Sequence, residues 1–369
     1  MPNHCFSVII AGGKGTRFWP LSRAGRPKQL LKILSGKSLI AETAARVYAL
    51  GGRRRTLVVT IADQLAALRR ELGDLPKNNF LAEPEGKNTA PCIGLAALEL
   101  ARRDPEAVMI ALPADHWVRD PAAFRNTLKT AVALAERHER LITIGIRPEY
   151  PETGYGYIVK SRPVGAKSAA AFAVKRFTEK PSLARARNLM RRRALWNSGI
   201  FIWKASTLLE LLARYQPAIG AALESIRRAA AGKSLAQPDP RLRAAIAREY
   251  KKMPSLSIDY AVMERAGAEG KVLTLEADFG WSDVGSWAAV HRMMAKDESG
   301  NASRGRWLGL GAKNCLIHAP DRLVVLLGVE NTVVVDTPDA LLVGALDRSQ
   351  EVRDLVAALD RRGLGSYTA

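Results

Sequence analysis

Apolar residues along this chain alternate between two periods. Short apolar runs at 6–11, 56–60, 79–82, 106–112 and 141–145, the first of them β-branched, read as buried strands. Helical spacing fills 39–50, 62–72, 89–102 and 121–137 between them. Strand–helix alternation with short links predicts an α/β fold, a mixed, mainly parallel sheet with helices on both faces. Ligands of such sheets gather beyond the carboxyl ends of the strands. From 148 to 275 further strands ("YGYIVK", "GIFIWK") are inserted among Arg-rich helices, and "AAAGKSLAQPDP" (229–240) reads as a loop. Beyond 297 the texture changes: Val and Leu runs recur at spacings near eight or nine, broken by Asn, Gly, Asp and Pro. That pattern predicts a small β-rich, β-helix-like module closed by a helix over 349–361. The expected domains are 1–296 and 297–369.

Composition changes this picture at one point. Lys and Arg outnumber Asp and Glu 56 to 36, a formal net charge of +20. Nucleic acid, an anionic membrane or anionic small substrates would each suit such a surface. The arginine clusters at 53–55, 69–70, 102–103, 191–193 and 227–228 are scattered over helical faces, and aromatics, at 6%, do not interleave with them. A single-strand stacking platform needs that interleaving, so no nucleic-acid partner is expected. The apolar run at 6–11 is too short for a signal peptide or a membrane span, so no membrane partner is expected either. Cys5, Cys92 and Cys315 lie too far apart to form a CxxC site or a disulfide framework. A cytoplasmic location is the expectation.

The candidate chemistry starts at "VIIAGGKGTRFWPLSRAGRPKQLL". A Walker loop would end in Gly-Lys-Ser/Thr, but Arg17-Phe18 stand there; a dinucleotide fingerprint needs a third glycine where Phe18 lies. What remains is the physics shared by both motifs. Glycines let backbone N–H groups converge on an anion, and Lys14, Arg17, Arg23, Arg26 and Lys28 surround them with charge. The stretch is a polyphosphate nest or a solvated basic turn. In "LPADH", Asp115 follows a buried strand, so it either caps a turn or meets a magnesium-bound phosphate. Asp283 in "FGWSDVGSW" could supply a second carboxylate. In "RFTEKPS", Lys180 is a helix-start cation or a monophosphate ligand.

Taken in order, "AGGKGTRFWPLSRAGRPKQ", "PEGKNTAP", "LPADH", "FTEKP", "NSGIFIW", "SIDYAVME" and "WSDVGSW" resemble the sugar nucleotidyltransferases over essentially the whole chain. "FWPLSR" with "WSDVGSW" resembles the mannose-1-phosphate guanylyltransferase branch. The resemblance implies a Rossmann-like catalytic fold, Mg2+ as cofactor, and GTP and mannose 1-phosphate as substrates. By the same resemblance Gly12, Gly13, Gly15 and Thr16 approach the triphosphate through backbone groups, and Arg17 and Lys28 neutralise it. Asp115 and Asp283 hold the metal, Lys180 binds the sugar phosphate, and Gly154, Glu179 and Asn197 contact the sugar. Guanine selection falls to 83–89, with Glu83, Asn88 and Thr89. Lys87 stands where relatives often carry arginine. The chain ends without the further β-rich domain of bifunctional relatives, so no isomerase activity is expected; a homodimer is a candidate assembly. The rival readings are another sugar 1-phosphate/NTP pair, or a nucleotide- or RNA-binding regulator without turnover.

Overall fold

The computed structural model describes residues 3–13, 15–164, 171–236 and 239–369. Lys14, and residues 237–238 of the expected loop, lie outside them. Strands form at the predicted runs, as β1 (Cys5–Ile10), β2 (Thr56–Ile61), β3 (Phe80–Glu83), β4 (Val108–Pro113), β6 (Leu141–Ile146), β7 (Tyr157–Pro163) and β9 (Leu195–Lys204), and also at three places where none was expected: the two-residue β5 (Trp117–Val118), β8 (Ala171–Thr178) and β10 (Val272–Ala277). The chain divides into two compact units, one of Met1–Gly12, Thr43–Ala114 and Val118–Trp281, the other of Gly13–Glu42, Asp115–Trp117 and Ser282–Ala369.

The first unit holds a nine-stranded sheet in the order β3-β2-β1-β4-β9-β6-β10-β8-β7. β1 to β4 are mutually parallel, as are β6 and β10. β9 runs antiparallel to β4 and β6, and β8 antiparallel to β10 and β7. The sheet is therefore mixed but mainly parallel, as expected. Successive strands leave β1 on opposite sides, β2 on one and β4 on the other, so the β1/β4 pair is the switch point where ligands bind in such folds. There Ile10 pairs with Pro113, and Ala114 N donates to Ile10 O at 3.0 Å.

The helices of this unit include α1 (Leu39–Gly51), α2 (Leu65–Glu71), α3 (Thr89–Arg103), α4 (Pro121–Arg137), α5 (Leu183–Arg191), α6 (Ala205–Tyr215), α7 (Pro217–Ala230), α8 (Pro240–Lys252) and α9 (Glu264–Ala268). α3 is buried from 90 to 100. A Cβ at its Gly94 would lie 2.9 Å from a Leu223 methyl and 3.2 Å from a Leu212 methyl, so glycine lets α6 and α7 pack close. Two expectations shift. The segment 62–72 opens with a 3-10 turn, Ala62–Gln64, before α2. The alanines at 229–230 extend α7 into the expected loop, which begins at Ala231 and Gly232, both at positive φ.

The second unit contains β12 (Ala302–Leu310), β13 (Leu316–Leu327), β14 (Thr332–Asp336), β15 (Leu341–Ala345) and α11 (Val352–Arg361), after the short β11 (Trp281–Ser282) and α10 (Trp287–Met293). β12, β13 and β14 pair in parallel although joined by short links, the geometry of successive β-helix coils; β15 closes antiparallel. This matches the expected module. Its core is shared with the cationic loop: Phe18, Trp19, Leu31 and Ile33 pack with Val284, Trp287, Val290, Leu316, Val333 and Val335. Phe18 meets Trp287 edge-on at 5.1 Å, and Trp19 Nε1 donates to Tyr367 O at 2.8 Å. Among the described residues no helix is long and apolar enough to cross a membrane.

Candidate active site

Within the second unit, three distant segments meet at one lysine. Lys28 sits in a 3-10 turn after Pro27 and is 8% exposed. A buried ammonium needs oxygen partners. Its Nζ stands 2.8 Å from Asp115 Oδ2 and donates to Asp283 O at 2.7 Å. Burial would push the Asp115 carboxyl up, but the Lys28 ammonium, with His116 and hydrogen bonds, outweighs it and holds the group below the usual carboxylate range. Gly15 adopts φ +67° at the start of the Thr16–Phe18 turn. A Cβ there would overlap Lys28 Cβ and lie 2.9 Å from Lys28 N. Only glycine permits that approach.

The Asp283 loop is strained. Val284, β-branched, takes φ +49°, and it is fully buried among Phe18, Trp287 and their neighbours, whose packing holds it there. A Cβ on Gly285 would lie 2.8 Å from Asp283 Oδ2. Gly13 is exposed, and half-buried Arg17 forms no ion pair with the described residues. The donor set suits magnesium, which takes one or two carboxylates and completes its shell with phosphate and water. Among the described residues no group of three or more His, Cys, Asp and Glu could cage a metal without such a ligand.

A second cluster lies within the first unit. Glu179 and Lys180 follow β8, with Lys180 at φ +42° and its side chain 66% exposed; Lys180 Nζ stands 3.0 Å from Glu179 Oε1. Asn197 on β9 donates from Nδ2 to Asp259 Oδ1 at 2.7 Å, and its Oδ1 accepts from Thr143 Oγ1 at 3.1 Å. Of the residues expected at the sugar, Glu179, Lys180 and Asn197 are thus drawn together, with Asp259 beside them. Gly154 instead donates its N–H to Glu152 at 2.8 Å, and the glycine facing the cluster is Gly156. A Cβ on Gly156 would lie 2.5 Å from Glu179 Oε2. Asp259 opens a π-helical turn, Asp259–Met263; burial and then the neighbouring Glu179 push its carboxyl up to about 7. Tyr155 packs edge-on against both Trp196 and Trp281 at 5.2 Å. Sequence reasoning missed Asp259, Gly156 and these aromatic rings. The one available signal was an acid opening an apolar helix in "SIDYAVME".

The stretch 83–89 also lies in the first unit. Glu83 ends β3, is 3% exposed and accepts from Tyr250 Oη. Burial raises its pKa, against the hydrogen bonds of Tyr250 and Cys92. Its Oε2 would lie 3.6 Å from a Cβ on Gly12. Asn88, at φ +63°, caps α3 by accepting from Thr89 N at 2.9 Å, and Thr89 Oγ1 accepts from Ile258 N at 2.8 Å. Lys87 Nζ donates to Lys251 O and Met253 O at 2.6 and 2.8 Å, satisfying carbonyls at the end of α8.

Comparison with known proteins places the chain in a family. A profile described as nucleotidyl transferase matches residues 6–300, and one described as a MannoseP isomerase/GMP-like beta-helix domain matches 305–359. The chain is 40% identical to the xanthan biosynthesis protein XanB of Xanthomonas campestris pv. campestris (strain B100), over 98% of this chain and 74% of that protein. It is 37% identical to a mannose-1-phosphate guanylyltransferase of Klebsiella pneumoniae, over 98% of this chain and 75% of that protein. A crystal structure from Thermus thermophilus, described as a mannose-1-phosphate geranyltransferase, superposes with a TM-score of 0.86 at 35% identity, covering 97% of this chain and 99% of that one. The chain belongs to the mannose-1-phosphate guanylyltransferase family of nucleotidyl transferases.

Proposed function

We propose that this chain transfers GMP from GTP to mannose 1-phosphate, forming GDP-mannose and pyrophosphate in the cytoplasm. The observation that carries this reading is the Lys28 ammonium joining Asp115 to the Asp283 loop beside Gly15. It ties a strand-end carboxylate, a second acidic loop and a glycine turn into one anion-handling centre. The phosphate oxygen of the sugar attacks the α-phosphorus in line, and pyrophosphate leaves. Bringing two anions together makes the barrier chiefly one of charge and position. Gly12, Gly13, Gly15 and Thr16 offer backbone N–H groups to the triphosphate, and Arg17 balances charge on the α-phosphate and leaving group. Lys28 holds Asp115 ionised and in place. Glu179 and Asn197, beside Gly156, bind the sugar and Lys180 its phosphate, while Glu83, Asn88 and Thr89 frame the base. Asp115 and Asp283 would hold Mg2+, which when bound polarises the phosphoryl oxygens. In this reading residues 1–296 form the catalytic domain and 297–369 the module that supports it.

The division of labour is testable by steady-state kinetics. Lys180→Ala should raise KM for mannose 1-phosphate by about 10- to 100-fold, the loss of one charge-assisted hydrogen bond. KM for GTP should stay near wild type. Arg17→Ala should instead lower kcat by roughly 10²-fold or more. A Lys180→Ala enzyme with a raised KM for GTP and normal use of the sugar phosphate would reverse the assignment.

The active form is proposed to be a homodimer. On the β12–β13 ladder Leu308 pairs with Val325 and Leu310 with Leu327, and with Leu323 these side chains are 57–75% exposed. Alternation turns Trp307, Val324 and Leu326 to the opposite side, where Leu326 is buried and the other two are half-buried. A contiguous apolar face of this kind is rarely left in water. Light scattering should give twice the 40.2 kDa chain mass, falling to one chain in Leu310→Lys/Leu327→Lys; a monomeric wild type would refute the dimer.

A further inference from the structure

We infer that Asp259 is a positioning residue for the sugar: it locks the Asn197 carboxamide so that this group can only donate a hydrogen bond to the bound hydroxyl. The inference rests on the proposed function and deepens it.

A carboxamide offers two N–H donors and an oxygen with two lone pairs. At Asn197 both lone pairs are taken, by Thr143 Oγ1 at 3.1 Å and by Gly199 N at 3.3 Å. One N–H is taken by Asp259 Oδ1 at 2.7 Å. One N–H is left. In the flipped amide the oxygen would face the Asp259 carboxylate and the NH2 would face the Gly199 N–H, so both ends would repel. The remaining donor has a defined place to act. A Cβ on Gly156 would lie 3.7 Å from Asn197 Nδ2 and 2.5 Å from Glu179 Oε2, so the bare α-carbon of Gly156 is what lets the Glu179 carboxylate and the Asn197 amide approach the same stretch of backbone, a donor and an acceptor side by side. A sugar hydroxyl that reaches this pair accepts from Asn197 and donates to Glu179.

Asp259 is itself held. It follows Ile258, whose N–H donates to Thr89 Oγ1 at 2.8 Å, and Ala261 N donates back to Ser257 O at 2.8 Å. The π-turn that begins at Asp259 is a feature often found at functional sites. Nothing about an acid at this point is needed for packing, since Ile258, Ala261, Val262 and Met263 supply the buried surface.

The test is a double-mutant cycle on the active enzyme, read by initial rates with GTP and mannose 1-phosphate. Asp259→Ala should raise KM for mannose 1-phosphate about 10-fold, with kcat and KM for GTP within about 3-fold of wild type. Asp259→Asn, which can still present an oxygen to Asn197 Nδ2, should recover most of the loss. In an Asn197→Ala background, Asp259→Ala should add nothing. An unchanged KM in Asp259→Ala, a parallel loss in kcat and KM for GTP, or additive effects in the cycle would overturn the inference. Should the alanine variant fail to fold, Asp259→Ser takes its place in the same cycle. A wild type that does not turn over mannose 1-phosphate would refute the proposed function instead, which keeps the two failures distinct.

Discussion

Asp283→Asn should lower kcat by roughly 10²–10³-fold, the scale of losing one strong electrostatic contact to a reacting phosphoryl group, with little change in thermal stability. The structure separates this variant from Asp115→Asn. Lys28 takes the main-chain oxygen of Asp283, which the amide variant keeps, but the side-chain carboxylate of Asp115. Asparagine at 115 leaves a nearly buried ammonium with weaker compensation. Asp115→Asn should therefore lose activity to a similar degree and melt at a lower temperature as well. Pyrophosphate release and differential scanning fluorimetry on the same preparations measure both. Near-normal turnover in both variants would remove the carboxylate pair from the mechanism.

Gly15→Ala should cost roughly 10²-fold in kcat, because the added methyl competes for space with Lys28. Alanine at φ +67° already carries a left-handed penalty of about 1–2 kcal/mol. The larger effect is geometric: a Cβ would overlap Lys28 Cβ and press to 2.9 Å on its backbone nitrogen. Lys28 must shift, and its Nζ spans Asp115 and Asp283 O. A displacement near 1 Å at such a centre costs about 10²-fold. Gly13 supplies the contrast, since a Cβ there meets nothing within 4 Å. Gly13→Ala should fold as stably as wild type, and equal melting losses in the two variants would contradict the steric argument.

Both predictions depend on contacts that sequence reasoning reached only in part. Elements with strong local signals were legible. α4 runs Pro121–Arg137 as expected because Asp120 caps it and proline opens it. The β-helix-like module was legible from its short Val and Leu runs. Gly15, Lys28, Asp115 and Asp283 stood out as types suited to phosphate and metal, and a family resemblance supplied their roles. What the residues could not reveal is which atoms meet. The ammonium of Lys28 reads as a free phosphate ligand in the sequence, yet it is buried on Asp115. Asn197 and Asp259 lie 62 positions apart, a separation with no periodic signature, and the need for glycine at 156 depends on where the Glu179 side chain goes. Local pattern encodes strands, helices and caps; side-chain networks across the sheet are encoded only by the packing that assembles them.

The packing of the cationic loop also gives the C-terminal module a physical role. Phe18 and Trp19 follow the glycine turn and share one core with Trp287 and the coils of β13 and β14. The strain at Val284 is held by that same core.

The most direct measurement of the account is pyrophosphate release by the purified chain with Mg2+, across GTP, ATP, UTP and dTTP, each paired with mannose 1-phosphate and with glucose 1-phosphate. GTP with mannose 1-phosphate should give the highest kcat/KM, with GDP-mannose formed in equal amount to pyrophosphate. A higher kcat/KM with any other pair, or release of pyrophosphate without a sugar nucleotide, would contradict it.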